Sequence, residues 1–122
     1  LAADLGEKEM AYSLFERATM IDICDDNPDS SNGGVHAASL GGMWQCCVLG
    51  FGGVRRYGDE LRIQPHLPEE WKSVEISWHG QRLHITADHT ELTVENLTKN
   101  GKVEFLCGGK IHSFTDKIRI AY

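Results

Sequence analysis

The stretch richest in chemistry is Asn32–Gln45, NGGVHAASLGGMWQ. A glycine pair, one histidine, a run of small residues, a second glycine pair and a tryptophan follow one another where a helix is expected to begin. The first turn of a helix leaves backbone N–H groups without partners inside the helix, and the aligned peptide dipoles make that end positive. Gly33 and Gly34 allow a sharp turn and bring a ligand close to the backbone. Ala37, Ala38 and Ser39 add no bulk over the first turn, and His36 supplies a side-chain donor beside the N–H groups. Together these residues suit phosphate or another compact oxyanion, held by charge-assisted hydrogen bonds worth roughly 1.5–3 kcal/mol each. The same residues also read as a plain turn followed by a structural histidine, and composition alone leaves both readings open. Gly41, Gly42, Gly50, Gly52 and Gly53 sit where glycine costs roughly 1 kcal/mol in a helix interior, which points to close helix packing.

Two other groups of candidate residues lead nowhere. Asp25, Asp26 and Asp29 lack the spacing and terminal glutamate of a calcium loop and read as solvated. His79, His84 and His89 are five apart, so on strands they alternate faces and do not converge; no metal site is expected. The four cysteines, Cys24, Cys46, Cys47 and Cys107, include no C-x-x-C pair. They read as free, buried thiols in a reducing cytoplasm. Asn96-Leu97-Thr98 matches a glycosylation triplet that arises often by chance.

These residues need elements to position them. From Leu5 to about Asp22, the apolar residues Leu5, Met10, Leu14, Phe15, Ala18 and Ile21 form one helical stripe. Asp4 followed by Glu7 is a capping-box pattern. The segment DICDDNPDSSNGG is a loop. Residues from about Val35 to Gly53 predict a second helix, apolar nearly all round, which requires a large body to bury it. After GGVRRYGDE the period changes to two. LRIQP, SVEISW, RLHITAD, ELTVEN, KVEFLC and KIRIAY read as strands, with KIHSF a seventh, separated by turn signals at hairpin spacing. This is the pattern of an antiparallel sandwich or barrel.

Bulk properties agree with a folded unit. The 122 residues are 41% hydrophobic and 25% charged, with a net charge of −6. That composition argues against disorder and against a nucleic-acid surface, which needs a clustered basic face. No apolar run approaches the roughly 20 residues of a membrane span. The opening LAADLGEKEM lacks an initiator methionine and starts inside a helical pattern, so a piece of a longer protein is expected.

The segments GGVHAASLGGMWQCCVLGFGGVR and LRIQPHLPEEWKSVEISWHGQRLHI resemble the C-terminal end of glycoside hydrolase family 65. That family holds the maltose, trehalose, kojibiose and nigerose phosphorylases and some hydrolases. Gly34, Val35 and His36 match its G-[IV]-H motif, and Gly41, Gly42 and Trp44 the G-G and W that follow. Phe51 to Arg55 and Pro65 to Trp71 match the linked G-F-G-G and P-x-L-P-x-x-W elements. The resemblance implies an α+β chain. Residues 1–57 would be the last helices of a catalytic (α/α)6 barrel, and residues 58–122 a small C-terminal antiparallel β-sandwich.

It also implies a reaction. Family phosphorylases cleave an α-glucoside, a glucobiose such as maltose, with inversion. A glutamic acid protonates the glycosidic oxygen while inorganic phosphate attacks the anomeric carbon, giving β-glucose 1-phosphate and glucose. By resemblance His36 and the loop around it, with Gly34, Ala37, Ala38 and Ser39, help hold the phosphate. The glutamic acid and a Lys-Gln phosphate pair belong to upstream segments, so no catalytic residue is assigned in this chain and the chain alone is expected to be inactive. The implied partners are a disaccharide, inorganic phosphate as co-substrate and the remainder of the barrel. No cofactor, metal, nucleic acid or membrane is implied. A cytoplasmic homodimer is expected, because the apolar helix faces need cover.

Three rival readings stand beside this one. A hydrolase of the same family would use water in place of phosphate and leave His36 without that purpose. A carbohydrate-binding sandwich would use Trp71 or Trp78 as a stacking platform, although their places in a turn motif and on an apolar strand face suit a core. A structural cap over the barrel is the third.

Overall fold

The structure, a computed structural model, describes residues 1–21, 23, 36–78 and 82–122. A short 3-10 turn, Ala3–Leu5, precedes helix α1, Lys8–Thr19. Helix α2, Ala37–Gln45, runs directly into a π-helix, Cys46–Phe51. Eight strands follow: β1 Val54–Tyr57, β2 Glu60–Ile63, β3 Ser73–Trp78, β4 Leu83–Asp88, β5 Glu91–Asn96, β6 Val103–Cys107, β7 Lys110–Phe114 and β8 Lys117–Ala121. They form two four-stranded sheets, in the orders β1-β2-β6-β7 and β3-β4-β5-β8. Every pairing is antiparallel except β2 with β6, which are parallel and meet at one register pair, Arg62 with Leu106.

The two sheets share one core. Val54, Leu61, Ile63, Val103, Phe105 and Phe114 from the first sheet pack with Ile76, Leu83, Ile85, Ala87, Leu92 and Val94 from the second. This is the period-two pattern expressed: β4 and β5 alternate buried with half-buried positions along their length. Each fully buried Leu, Ile or Val contributes roughly 1.5–3 kcal/mol. The architecture is therefore a small helical layer joined to a β-sandwich. Among the described residues no helix is long and apolar enough to cross a membrane.

Several expectations need correction. There are eight strands rather than six or seven, because Val54–Tyr57 is a strand in the segment read as a link. Two of its four residues are arginines and only Val54 is buried, so it carries almost no alternation. Asp4 does not cap α1. It lies in the separate 3-10 turn, the N-cap is Glu7, and no side chain caps the helix there. The α1 stripe is also rotated: Ala11 is buried and Phe15 half-buried, while Leu5, Met10 and Leu14 are exposed. Cys107 is buried as expected, but Cys46 is exposed and Cys47 half-buried. All but Ile23 of the predicted loop DICDDNPDSSNGG lies outside the described residues, with Cys24, Asp25, Asp26, Asp29, Gly33 and Gly34 in it; Val35 and His79 lie outside them too.

Candidate functional site

His36 is the residue from which α2 starts. Its backbone is non-helical, φ −82° and ψ 83°, and its carbonyl accepts the first α2 bond, from Leu40 N–H at 3.1 Å. The imidazole is exposed and does not cap the helix it opens. Ala37 and Ala38 are exposed in the first turn and Ser39 is half-buried. The four residues that the sequence places around an anion and that the structure describes are thus consecutive at one helix start; Gly34 lies outside the described residues. The N–H groups of the first turn have no acceptor within the helix and point out of its positive end. No acidic side chain occupies that turn.

The far end of the same rod is anchored. In the π-helix, Gly52 N–H donates to Cys47 O at 2.8 Å, one residue further back than an α-helix would reach. Phe51 is buried and meets Trp71 and Phe15 edge to face, with ring centroids 4.9 and 5.5 Å away. Phe15 and Trp71 touch each other at 5.7 Å. The backbone is tied as well: His66 N–H donates to Phe51 O at 2.8 Å, and Gln64 N–H to Gly53 O at 3.1 Å. Gly53 has φ +63°, and a Cβ there would lie 1.7 Å from Gln64 O, so only glycine fits. The two sequence motifs Phe51–Arg55 and Pro65–Trp71 are therefore two sides of a single joint between helices and sandwich.

Polar groups lock that joint. Arg55 Nε donates to Leu49 O at 3.0 Å, and its Nη2 reaches both carboxylate oxygens of Asp4, at 2.8 and 2.7 Å. Partial burial pushes the Asp4 carboxyl up, but its hydrogen bonds and ion pair with Arg55 outweigh that and hold the group below its usual range. Nearby His66 is half-buried, and burial depresses its imidazole pKa, with Arg55 and Lys8 adding to the effect and Asp4 opposing it. A ring N–H of His89 donates to Trp71 O at 2.7 Å, pinning the other end of the turn. His89, expected on or next to a strand, is exposed just after β4; its bond to Trp71 O was not expected. Only its position just after β4, beside the turn that ends in Trp71, could have hinted otherwise.

Other predicted candidates stand apart from the helix start. His84 faces Glu75 at 3.2 Å on the β3–β4 ladder. Trp71 and Trp78 are half-buried and packed against the core, so neither presents an open ring for a sugar to stack on. Asn96 is buried, with Nδ2 donating to Thr115 O at 2.9 Å and Oδ1 accepting from Thr98 N–H and hydroxyl at 3.1 and 2.6 Å. Its amide is a structural pin and not a surface acceptor for glycan. Burial, and then neighbouring Cys46, raise the pKa of the Cys47 thiol. Among the described residues no three His, Cys, Asp or Glu side chains gather as they would around a metal.

The helical layer is uncovered on one side. Leu40 and Trp44 on α2 are exposed, as are Leu5, Met10 and Leu14 beside them in the chain order of the first segment. An open apolar groove of about 250 Å³ is lined by Leu14, Phe15, Ala18, Cys46, Gly50 and Phe51, among others. A Cβ built at Gly41, Gly42 or Gly50 would touch nothing in the described structure. The close packing that those glycines suggest is not made within it.

Comparison with known proteins places this arrangement. The description "Glycosyl hydrolase family 65, C-terminal domain" matches residues 54–114. A kojibiose phosphorylase of Halothermothrix orenii is 36% identical over 99 residues, covering 80% of this chain and 13% of that protein. An alpha,alpha-trehalose phosphorylase of Thermoanaerobacter brockii is 37% identical over 99 residues, covering 80% and 12%. A solved human-microbiome protein assigned as a kojibiose phosphorylase superposes with a TM-score of 0.83 at 27% identity, over 99% of this chain and 18% of its own. The chain thus spans about an eighth of the length of these curated relatives. With that match over β1 to β7, and with the Phe51–Arg55 and Pro65–Trp71 motifs forming the joint, the chain belongs to glycosyl hydrolase family 65.

Proposed function

We propose that this chain is the C-terminal part of an inverting α-glucoside phosphorylase and that the start of α2 helps hold its phosphate. His36, Ala37, Ala38 and Ser39, with Gly34 before them, form the anion end. Inorganic phosphate is the co-substrate, and no further cofactor enters. A glutamic acid from an upstream segment protonates the glycosidic oxygen, while the phosphate attacks the anomeric carbon from the opposite face. The products are β-glucose 1-phosphate and the released sugar. The observation that carries this reading is the exposed helix start at His36, with two alanines and no acidic side chain in its first turn. It is what an incoming phosphate needs and what a hydrolase has no use for.

The helical layer is, on this reading, the last part of an (α/α)6 barrel, and the sandwich is a cap against it. Support comes from the apolar faces of α1 and α2, the groove between α1 and the π-helix, and the glycines that face open space. Residues 1–57 supply the helices and 58–122 the sandwich; the whole enzyme acts in the cytoplasm as a homodimer. The chain alone is expected to be inactive, because on this reading the acid and most of the sugar pocket belong to upstream segments.

The test is made on the full-length protein. Kojibiose and trehalose, the substrates in the names of the two relatives, come before maltose, each with and without phosphate. Formation of glucose 1-phosphate identifies the reaction; free glucose formed equally well without phosphate would replace it with hydrolysis. His36→Ala is expected to lose one charge-assisted bond of roughly 1.5–3 kcal/mol, or about 10- to 150-fold in kcat/KM for phosphate, with the melting temperature little changed. A destabilised variant with unchanged phosphate kinetics would leave His36 as a turn residue.

A further inference from the structure

The turn that carries the chain from β5 to β6, between the two sheets, holds a reactive pair, Asn100 and Gly101. The carbon of an asparagine amide is open to attack by the backbone nitrogen of the next residue, once that N–H has lost its proton to solvent base. Three conditions decide whether the attack occurs: the bulk of the next residue, whether its N–H is already hydrogen-bonded, and whether the amide itself is held.

Asn96 and Asn100 fall on opposite sides of all three. Asn96 is buried, with Nδ2 donating to Thr115 O and Oδ1 accepting from Thr98. The residue after it is Leu97, whose N–H donates to Arg82 O at 2.9 Å. Asn100 is exposed. Among the described residues its side-chain amide has no hydrogen-bond partner, and the Gly101 N–H has none either. Gly101 has φ +79°, open space around it, and no Cβ to crowd a five-membered ring. Exposed Lys99 and Lys102 flank the pair and favour the anion that the attack creates. Of the other asparagines, Asn27 precedes a proline, which has no N–H to attack with, and Asn32 lies outside the described residues. β5 begins beside the joint, where His89 holds Trp71, and ends at Asn96. The turn 97–102 is therefore at the end of the sandwich away from the helices.

We propose that Asn100 is a site of spontaneous modification, converted by its own neighbour to aspartate and isoaspartate. Gly101 N attacks Asn100 Cγ and forms the N–Cγ bond. The Cγ–Nδ2 bond breaks, and the nitrogen leaves with a proton as ammonia. Water then opens the cyclic imide. Opening at Cγ gives aspartate; opening at the main-chain carbonyl carbon gives isoaspartate, with the chain running through Cβ. One water is consumed and one ammonia released, without any oxidant or reductant. Either product adds a negative charge between Lys99 and Lys102. Isoaspartate also lengthens the main chain beside the Asn100 carbonyl that Asn96 Nδ2 reaches at 3.5 Å, so the buried pin of β5 loses one of its two acceptors.

The experiment holds the full-length protein at mildly alkaline pH, cuts it after glutamate and reads peptide masses. Cleavage at Glu95 and Glu104 puts Asn96 and Asn100 in one peptide and Asn32 in another. Peptide 96–104 is expected to gain about 1 Da, located at Asn100 by fragmentation, in two isomeric forms. One of the two should accept a methyl group from a protein isoaspartyl methyltransferase, the probe for the isoaspartyl carboxylate. Asn96 should keep its amide. The rate in the folded protein should lie within about tenfold of that in urea, because an exposed turn opens at almost no cost. A requirement for global unfolding would slow it by about 10³-fold or more, and any slowing beyond about tenfold would overturn the proposal. So would an equal gain at Asn96 in the folded protein, or a gain in peptide 96–104 that persists in Asn100→Gln.

Discussion

Gly53→Ala tests the joint most directly. The substitution adds one methyl group, yet three costs combine. A non-glycine residue at φ +63° is in the left-handed region, which costs about 1–2 kcal/mol. The new Cβ would lie 1.7 Å from Gln64 O and 2.3 Å from Gln64 C, both backbone atoms that cannot swing aside. Moving that strand end stretches the Gln64 N–H bond to Gly53 O and the His66 N–H bond to Phe51 O, each worth about 0.5–1.5 kcal/mol net, with overpacking of about 1–3 kcal/mol. The sum is about 3–8 kcal/mol, a large part of the ~5–15 kcal/mol that stabilises a typical domain. Gly58→Ala is the control. Gly58 has a nearly equal φ, +59°, but its Cβ would meet nothing, so only the conformational cost of about 1–2 kcal/mol applies. Urea unfolding followed by tryptophan fluorescence reads both, since Trp71 sits in the joint. The two variants should differ by about 2–6 kcal/mol. If Gly53→Ala unfolds no more easily than Gly58→Ala, the close approach to Gln64 is not a constraint and the joint has been misunderstood.

Phe51→Ala should destabilise by about 3–5 kcal/mol, and a cycle with Trp71→Ala should show a coupling of about 0.5–1.5 kcal/mol; purely additive losses would mean that the rings merely fill space. Asp4→Asn should flatten the acid limb of the stability curve. The Asp4 pKa is depressed on folding from its ordinary 3.8, so its contribution is complete above that value and is lost as the pH falls through the lower folded value. A variant whose stability falls with acid as steeply as the parent's would show that the Arg55 pair contributes nothing. Asn96→Ala leaves the Thr115 carbonyl and Thr98 N–H without their partner and should cost about 1–3 kcal/mol, seen as a lower melting temperature; no change would mean that water replaces the amide.

What could be read from the residues followed their periodicity. The alternation in Leu83–Asp88 and Glu91–Asn96 is regular because one face of each strand is buried against the other sheet, and those strands were legible. Val54–Tyr57 was not, since its neighbours on the sheet, rather than its own apolar residues, make it a strand. The π turn was invisible, because Cys46–Phe51 has the composition of an ordinary apolar helix and the extra residue is set by where Phe51 must land. Asp4 looked like a helix cap because its local spacing to Glu7 fits one; a partner 51 residues away, Arg55, took the carboxylate instead. The helix start at His36 was legible from local rules alone: glycines, small residues and one donor. The joint at its other end was not, because it depends on Phe51 meeting Trp71 and His66, and no local rule pairs residues so far apart in sequence.

The parallel pairing of β2 with β6 dictates an order of events as the chain folds. β3, β4 and β5 are joined by short turns, so their hairpins close locally and quickly, as does β1 with β2. The β1–β2 hairpin, however, joins its sheet only through β6, with the register pair Arg62 and Leu106, and closing so long a loop carries an entropy cost that must be met before any contact rewards it. Until β6 is made, the hairpin and the helices attached to it through Gly53 have half of the sandwich core still open. Synthesis on the ribosome therefore leaves the helical layer and the first sheet incomplete until β6 has emerged, and a truncation that removes β6 strands the helices as well as the sheet.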